Sequence, residues 1–169
     1  MKNFLREFLI TVLVAVIIFV VAQRTIQTYE VFMSSMEPSF HEGQRVVVNK
    51  AVYFFGEPQR GDVIIFKAPN GSEDFIKRVI GLPGDTVEIK DGAVYVNGIR
   101  LVEPYVAEPP AYTMPRVVVP KNKYFVLGDN RNHSNDSHNN WYVDRKDIRG
   151  KAWFSTWPPK DWGVAPNYP

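Results

Sequence analysis

The 169-residue chain has no cysteine. That absence excludes disulfides, a thiol nucleophile and any thiolate-bound metal, and it leaves the fold to its hydrophobic core alone. Net charge is only +2, too small for the basic face of a nucleic-acid binder, so no nucleic-acid partner is expected. Histidine is scarce as well, with His41, His133 and His138 the full set. None of the three stands with a carboxylate in a hydrolase pattern such as G-x-S-x-G. Internal repeats and low-complexity tracts are also missing, so no repeat architecture is in question.

One long apolar run is present. Phe4 to Ala22 is interrupted only by Arg6 and Glu7, and at roughly 1.5 Å per helical residue it reaches about 28 Å, close to the ~30 Å hydrocarbon thickness of a bilayer. From Phe8 onward it is apolar on every face apart from Thr11, which a globular surface helix would not be. A cleaved signal peptide is the competing reading, because Lys2 and Arg6 form a basic n-region and Val20 and Ala22 are candidates for small-residue cleavage positions. Against cleavage, no Gly or Pro breaks the run before Arg24. The positive-inside rule favours a cytoplasmic N-terminus with everything after Ala22 outside, although Arg24 weakens the bias.

The remainder is the size of one domain. Thirteen prolines, eleven glycines and 14% aromatics suit a turn-rich β domain better than a helical bundle. Strands are expected at Arg45 to Lys50, Asp62 to Lys67 and Phe75 to Ile80. Two hairpins follow, turning at Asp91-Gly92 and Asn97-Gly98, with strands at 86–90, 93–96 and 99–102. Residues 103–120 hold five prolines, so a loop or edge excursion is expected there. The last strands are expected at Tyr124 to Leu127 and Lys151 to Phe154, and the proline-rich tail after Trp157 is expected to lack regular structure.

Ser35 stands in Ser34-Ser35-Met36-Glu37-Pro38, thirteen residues past the apolar run. A serine hydroxyl is a weak nucleophile and needs a base within hydrogen-bond reach. A lysine serves if its surroundings keep it neutral. Lys77 alternates with Phe75 and Val79 on one face of its expected strand. In water only about 0.04% of such a lysine is neutral at pH 7, and desolvation among apolar side chains would remove that obstacle. On an exposed edge the same lysine would point to solvent and do nothing. A metal site from His133, His138, Asp129 and Asp136 fits no standard ligand spacing, so no metal is expected.

Three blocks in order after the apolar run carry a resemblance: Ser35-Met36 with Pro38, then Lys77-Arg78-Val79-Ile80-Gly81-Leu82-Pro83-Gly84-Asp85, then Gly128-Asp129-Asn130-Arg131 through Ser134, Asp136 and Ser137. Together they resemble type I signal peptidase, from the apolar run to about Trp157. The resemblance implies a mostly β fold, an antiparallel sheet domain of the signal peptidase/LexA-like type preceded by one transmembrane α-helix. It implies a membrane-bound serine endopeptidase, with no cofactor, that removes signal peptides from exported preproteins. Ser35 matches the nucleophile, Lys77 the general base, and the Ser35 backbone N–H one side of the oxyanion hole. Met33 stands where some members carry a Ser or Gly that supports the hole, which rules out a side-chain donor there. Ser134 matches a serine that hydrogen-bonds near the lysine. Asp136 matches an aspartate commonly paired with an arginine, and here the partner position holds His138, whose charge depends on pH.

The same resemblance places Val31, Met36, Phe40, Phe75 and Ile76 around pockets for small substrate side chains, with an extended peptide pairing along the segment before Ser35 and along Asp74 to Ile76. Core packing is the alternative for each of these apolar residues. The expected organisation is an anchor over 1–28, an extracytoplasmic catalytic β domain over 29–157 and a tail over 158–169, with preproteins and membrane lipid as partners. LexA-like self-cleaving proteins share the dyad but carry a DNA-binding region instead of an apolar N-terminus. A membrane-tethered β domain that binds exported peptides without cutting them is the non-enzymatic alternative.

Overall fold

A computed structural model describes residues 2–69, 71 and 73–168. Met1 of the expected anchor and Pro169 of the expected tail lie outside the described residues. Helix α1 runs from Lys2 to Thr25, a few residues beyond the apolar run at each end. It is long and apolar enough to cross a membrane, and none of its apolar stretch is buried by the rest of the protein. A helix that is hydrophobic all round with nothing packed on it needs an apolar solvent, which a bilayer supplies.

Strand β1 (Ile26–Glu30) follows α1 without a break. The expected anchor over 1–28 leaves no strand here, and its bound is corrected to Thr25, where α1 ends. The reason is that only Tyr29 of the five residues is even half-buried. β1 is an edge strand held by its ladder to β2 (Arg45–Asn49), from Ile26↔Asn49 to Glu30↔Arg45, rather than by burial.

After a single helical turn, α2 (Val52–Phe55), the chain forms β3 (Val63–Lys67) and β4 (Asp74–Gly81). Then come β5 (Thr86–Lys90), β6 (Ala93–Val96), β7 (Ile99–Arg100) and β8 (Met114–Val118), followed by β9 (Lys123–Leu127), β10 (Val143–Asp144), β11 (Ile148–Trp157) and β12 (Gly163–Val164). The larger sheet has the order β1-β2-β11-β3-β4-β9-β10, with β12 added on β11, and the smaller has the order β7-β6-β5-β8. All pairings are antiparallel.

The two hairpin turns use positive φ at both central residues, Asp91 (51°) with Gly92 (67°) and Asn97 (53°) with Gly98 (80°), the backbone that matches strand twist in two-residue loops. The sheets meet at Gly81 of β4, where an added β-carbon would strike Val87, Val119 and Phe125, so only a bare backbone lets Val87 of β5 pack that close on β4. A core of Ile80, Val87, Ile89, Val94, Phe125 and Leu127 fills the junction. β8 lies at the edge of the smaller sheet, which is where Pro115 is tolerated. The excursion is also tied down: Glu103 takes both terminal nitrogens of Arg131, at 2.7 and 2.8 Å.

The tail departs from expectation. It forms β12, pairing Val164 with Phe154 and Gly163 with Ser155, and Ala165 enters the core beside Val31, Met36 and Phe40. Its prolines flank the paired residues instead of falling among them, so the ladder loses no donor.

Candidate active site

Ser35 and Lys77 come from segments 42 residues apart in the chain. Ser35 sits in the turn between β1 and β2, and Lys77 sits midway along β4, paired with Ile64 of β3. The Lys77 Nζ donates to Ser35 Oγ at 2.6 Å and to its neighbour's carbonyl, Ile76 O, at 3.0 Å. Ser35 is 6% exposed and Lys77 only 3%. Burial pulls the Lys77 ammonium from 10.5 down to about 8, against an opposing pull from the negative charges of Asp136 and Asp129. At that value about 10% of the lysine is neutral at pH 7, and a neutral amine beside a hydroxyl can take its proton.

The loop after β9 fixes the serine's backbone. Asn130 N–H donates to Ser35 O, and Asn130 Nδ2 donates to Ser34 O, each at 3.1 Å. Gly128 lies so close to both Ser35 and Ser134 that a β-carbon would collide with the Ser35 carbonyl oxygen and the Ser134 hydroxyl. Among the described residues the Ser35 N–H donates to no acceptor, which leaves it available to an oxyanion. Met33 carries φ of 70°, an uncommon backbone for a side chain of that kind. Its side chain is half exposed at the cleft and carries no hydrogen-bond donor.

Asp136 is fully buried. One of its oxygens accepts from Gly128 N–H at 2.9 Å, and the other lies 2.6 Å from His138 Nδ1 and accepts the His138 N–H at 3.2 Å. The His138 ring stacks on Tyr112 with centroids 4.3 Å apart. Ser134 differs from its expected role, because its buried hydroxyl has no hydrogen-bond partner among the described residues. It touches the site by packing on Gly128. Ser137 holds the sheet instead, accepting from Val126 N–H at 3.0 Å.

Beside the dyad opens a cleft of about 750 Å³, walled by Tyr29, Val31, Met33, Phe75 and Ile76, with Asp74 at its rim. Met36 and Phe40 are not on that wall. Both are at most 1% exposed, in the core that backs Val31, so the expectation that they line the pockets is corrected. The reason is geometric: they follow Ser35 where the chain turns inward, Phe40 N–H bonding back to Met36 O at 2.9 Å. Two strand edges border the cleft. β1 pairs only with β2, and β4 pairs with β9 only from Arg78 to Gly81, so Asp74 to Lys77 has no second partner strand among the described residues.

Sequence reasoning missed the role of Arg78. Its side chain is fully buried and grips both oxygens of Asp129, at 2.9 and 2.6 Å. The only signal was its place next to Lys77 and the acidic residue after Gly128. Among the described residues no group of three His, Asp or Glu side chains is arranged to hold a metal ion.

A sequence model of the family described as Signal peptidase, peptidase S26 matches residues 2–157. Signal peptidase I of Bacillus licheniformis is 37% identical over 169 residues, covering 93% of this chain and 91% of that protein. Probable signal peptidase I-2 of Synechocystis sp. is 47% identical over 131 residues, 74% of this chain, and the match spans only 60% of that protein's length. A crystal structure of a signal peptidase I from Enterococcus faecalis V583 superposes with a TM-score of 0.53 at 36% identity, covering 57% of this chain and 97% of that one. With a family match over residues 2–157, a relative matched over more than nine-tenths of both chains and a solved structure of the same kind at 36% identity, the chain belongs to the signal peptidase I family of serine endopeptidases, peptidase S26.

Proposed function

We propose that this chain removes signal peptides from exported preproteins, with Ser35 as nucleophile and Lys77 as general base. The observation that carries the reading is the 2.6 Å hydrogen bond between Lys77 Nζ and Ser35 Oγ inside a buried site. Neutral Lys77 takes the Ser35 proton as Oγ attacks the scissile carbonyl carbon. The oxygen that becomes negative faces the free Ser35 N–H. Protonated Lys77 then gives its proton to the leaving amine, which departs as the new N-terminus of the mature protein. A water, deprotonated by Lys77, attacks the acyl-serine ester; as the ester bond breaks, Lys77 returns that proton to Ser35 Oγ, and the signal peptide leaves with its new carboxylate.

The substrate lies extended between the two open edges, pairing with the segment after β1 on one side and with Asp74 to Ile76 on the other. Alternate side chains then point into the cleft, where Val31, Phe75 and Ile76 leave room for small residues at the first and third positions before the cut. Asp74 stands at the rim, 3.5 Å from Arg149.

Helix α1 anchors the protein in the membrane, with its N-terminus in the cytoplasm and the β domain outside, an orientation favoured by the basic residues Lys2 and Arg6 at its N-terminal end. Helix α2, which carries the exposed pair Phe54 and Phe55, begins two residues after Lys50, whose N–H donates to Thr25 O at the end of α1 at 2.8 Å. Both ends of that arrangement suit a lipid surface.

A tethered domain that only binds peptides is the weaker reading. Burying a lysine without a carboxylate in contact costs folding free energy, and a binder gains nothing in return. The deciding experiment incubates the purified full-length protein with a preprotein bearing Ala at the first and third positions before the cut. Wild type should cut once at that site and Ser35→Ala should not. Equal cutting by both, or none by wild type, would overturn the reading.

A further inference from the structure

Asn167 lies beyond residue 157, where the family match stops, and takes no part in the chemistry above. Its side chain nevertheless fills a rung of the larger sheet. β11 and β3 pair through Ile148↔Phe66, Gly150↔Ile65 and Lys151↔Ile64, and the next rung would join Ala152 to Val63. In its place Asn167 Oδ1 accepts from Val63 N–H at 2.8 Å and Nδ2 donates to Ala152 O at 3.1 Å. A carboxamide presents an acceptor and donors much as a peptide group does, so the side chain stands in for strand backbone where the two strands part.

The residues on either side of Asn167 close over Arg78. A guanidinium has five N–H donors, and each is accounted for here. Two go to Asp129 at 2.9 and 2.6 Å, one to Gly61 O at 2.9 Å, one to Ser39 Oγ at 3.4 Å, and one to Pro166 O at 2.6 Å. The Tyr168 ring lies 5.3 Å from the guanidinium carbon and 5.1 Å from the ring of Tyr105, which covers the same group at 4.0 Å. Ala165 is anchored in the core.

These contacts converge on the dyad. Val63, held by Asn167, is the β3 partner of Arg78, and the next residue, Ile64, is the partner of Lys77. Asp129, held by Arg78, precedes Asn130, which fixes the carbonyls of Ser34 and Ser35. We propose that Ala165–Tyr168 is a positioning strap for the Ser35–Lys77 dyad, with Asn167 as its positioning residue; the proposal rests on the reading of that dyad given above. Among the described residues no hydrogen bond joins the strap to Ser35 or Lys77. The strap sets the register of β3 and β4 and the seat of Arg78, which in turn hold the lysine strand and the serine loop in line. None of its residues lines the cleft, so substrate binding does not depend on it directly.

The test compares full-length wild type and Asn167→Ala in detergent micelles on a soluble peptide spanning a small-x-small cleavage site. The fraction folded is measured at the assay temperature by near-UV circular dichroism. Because attack geometry is sensitive to small displacements, kcat per folded molecule should fall about tenfold while KM stays within about twofold. An unchanged kcat, a loss matched by the fraction unfolded, or equal changes in kcat and KM would overturn the proposal. Should Asn167→Ala fail to fold, Asn167→Asp keeps the acceptor for Val63 and removes the donor to Ala152, and it carries the same comparison. Hydrogen exchange on the same samples reads the strap without turnover: exchange should rise over β3 and β4 and stay constant over β5 and β6. If wild type does not cut the peptide, the reading of the dyad fails and exchange alone decides; unchanged protection of β4 would then sink the strap.

Discussion

Asp129 grips the Arg78 guanidinium through both carboxylate oxygens, and neither side chain reaches solvent. The pair joins the strand that carries Lys77 to the loop that holds Ser35, so the dyad's geometry depends on a contact that performs no chemistry.

Removing one partner of such a pair strands the other charge in the interior. Asp129→Ala should therefore destabilise the fold by about 3–5 kcal/mol, measured by equilibrium denaturation. Arg78→Lys keeps the charge, but an ammonium cannot reach Asp129, Gly61 and Pro166 together. Its loss of activity should still be smaller than that on losing the nucleophile or the base. A cost under about 1 kcal/mol for Asp129→Ala would mean that Arg78 finds other partners.

Ser35→Ala and Lys77→Met should each abolish cleavage, and the double variant should be no worse than either single one, because a nucleophile and its base act as a unit. Preprotein cleavage followed by gel analysis is sufficient. Turnover by Lys77→Met near the wild-type rate would shift the search for the base to another residue, with His41 first.

The lowered pKa of Lys77 makes two linked predictions about pH. The cleavage rate should rise as the lysine loses its proton, with a midpoint near 8. Stability follows the same group. The folded-state value of about 8 lies below the unfolded 10.5, so below pH 8 both states hold the proton and the full cost of burying it is borne. Between 8 and 10.5 only the unfolded state holds it, and this contribution to stability rises with pH; above 10.5 the cost is gone. Lys77→Met should accordingly be more stable than wild type at pH 7, by up to about 3 kcal/mol, and lose that advantage by pH 10.5. Denaturant titrations of both proteins at the two pH values give the comparison. A Lys77→Met variant less stable at pH 7 would show that the Ser35 and Ile76 contacts outweigh the burial.

The parts legible in the sequence were those written in local chemistry. Asp91-Gly92 and Asn97-Gly98 specify their turns by backbone preference; α1 is written in an apolar run interrupted only by Arg6 and Glu7, and the dyad in motif blocks around Ser35 and Lys77. What was not legible depends on partners distant in the chain. β1 has an unremarkable composition because its ladder to β2, not burial, holds it. Asn167 looks like any tail asparagine until Val63 and Ala152 are beside it. Met36 and Phe40 could be wall or core from sequence, and only the inward turn after Ser35 assigns them to the core. The hydroxyl of Ser134 has the chemistry of a brace, yet its contact with the site is packing against Gly128, a relation no spacing rule encodes.

Phe55 is fully exposed and Phe54 64% exposed, a costly display in water that aromatic residues escape at a bilayer interface. Their turn of helix starts next to Lys50, whose N–H is bonded to the last residue of α1, so a spanning α1 brings both rings to the level where the chain leaves the lipid. This holds only while α1 stays attached, and intact-mass analysis of the membrane fraction should find a protein beginning before Gln23. The chain has no cysteine, so Phe55→Cys gives a single site for a spin label in the full-length protein. In proteoliposomes that label should be reached by oxygen and shielded from a polar nickel reagent. Replacing both rings, Phe54→Ser with Phe55→Ser, should slow cutting of a membrane-inserted preprotein severalfold and leave a soluble peptide unaffected, because the cleft and the dyad are untouched. A label as open to nickel as one free in buffer would place α2 in water and remove the lipid surface from this side of the domain.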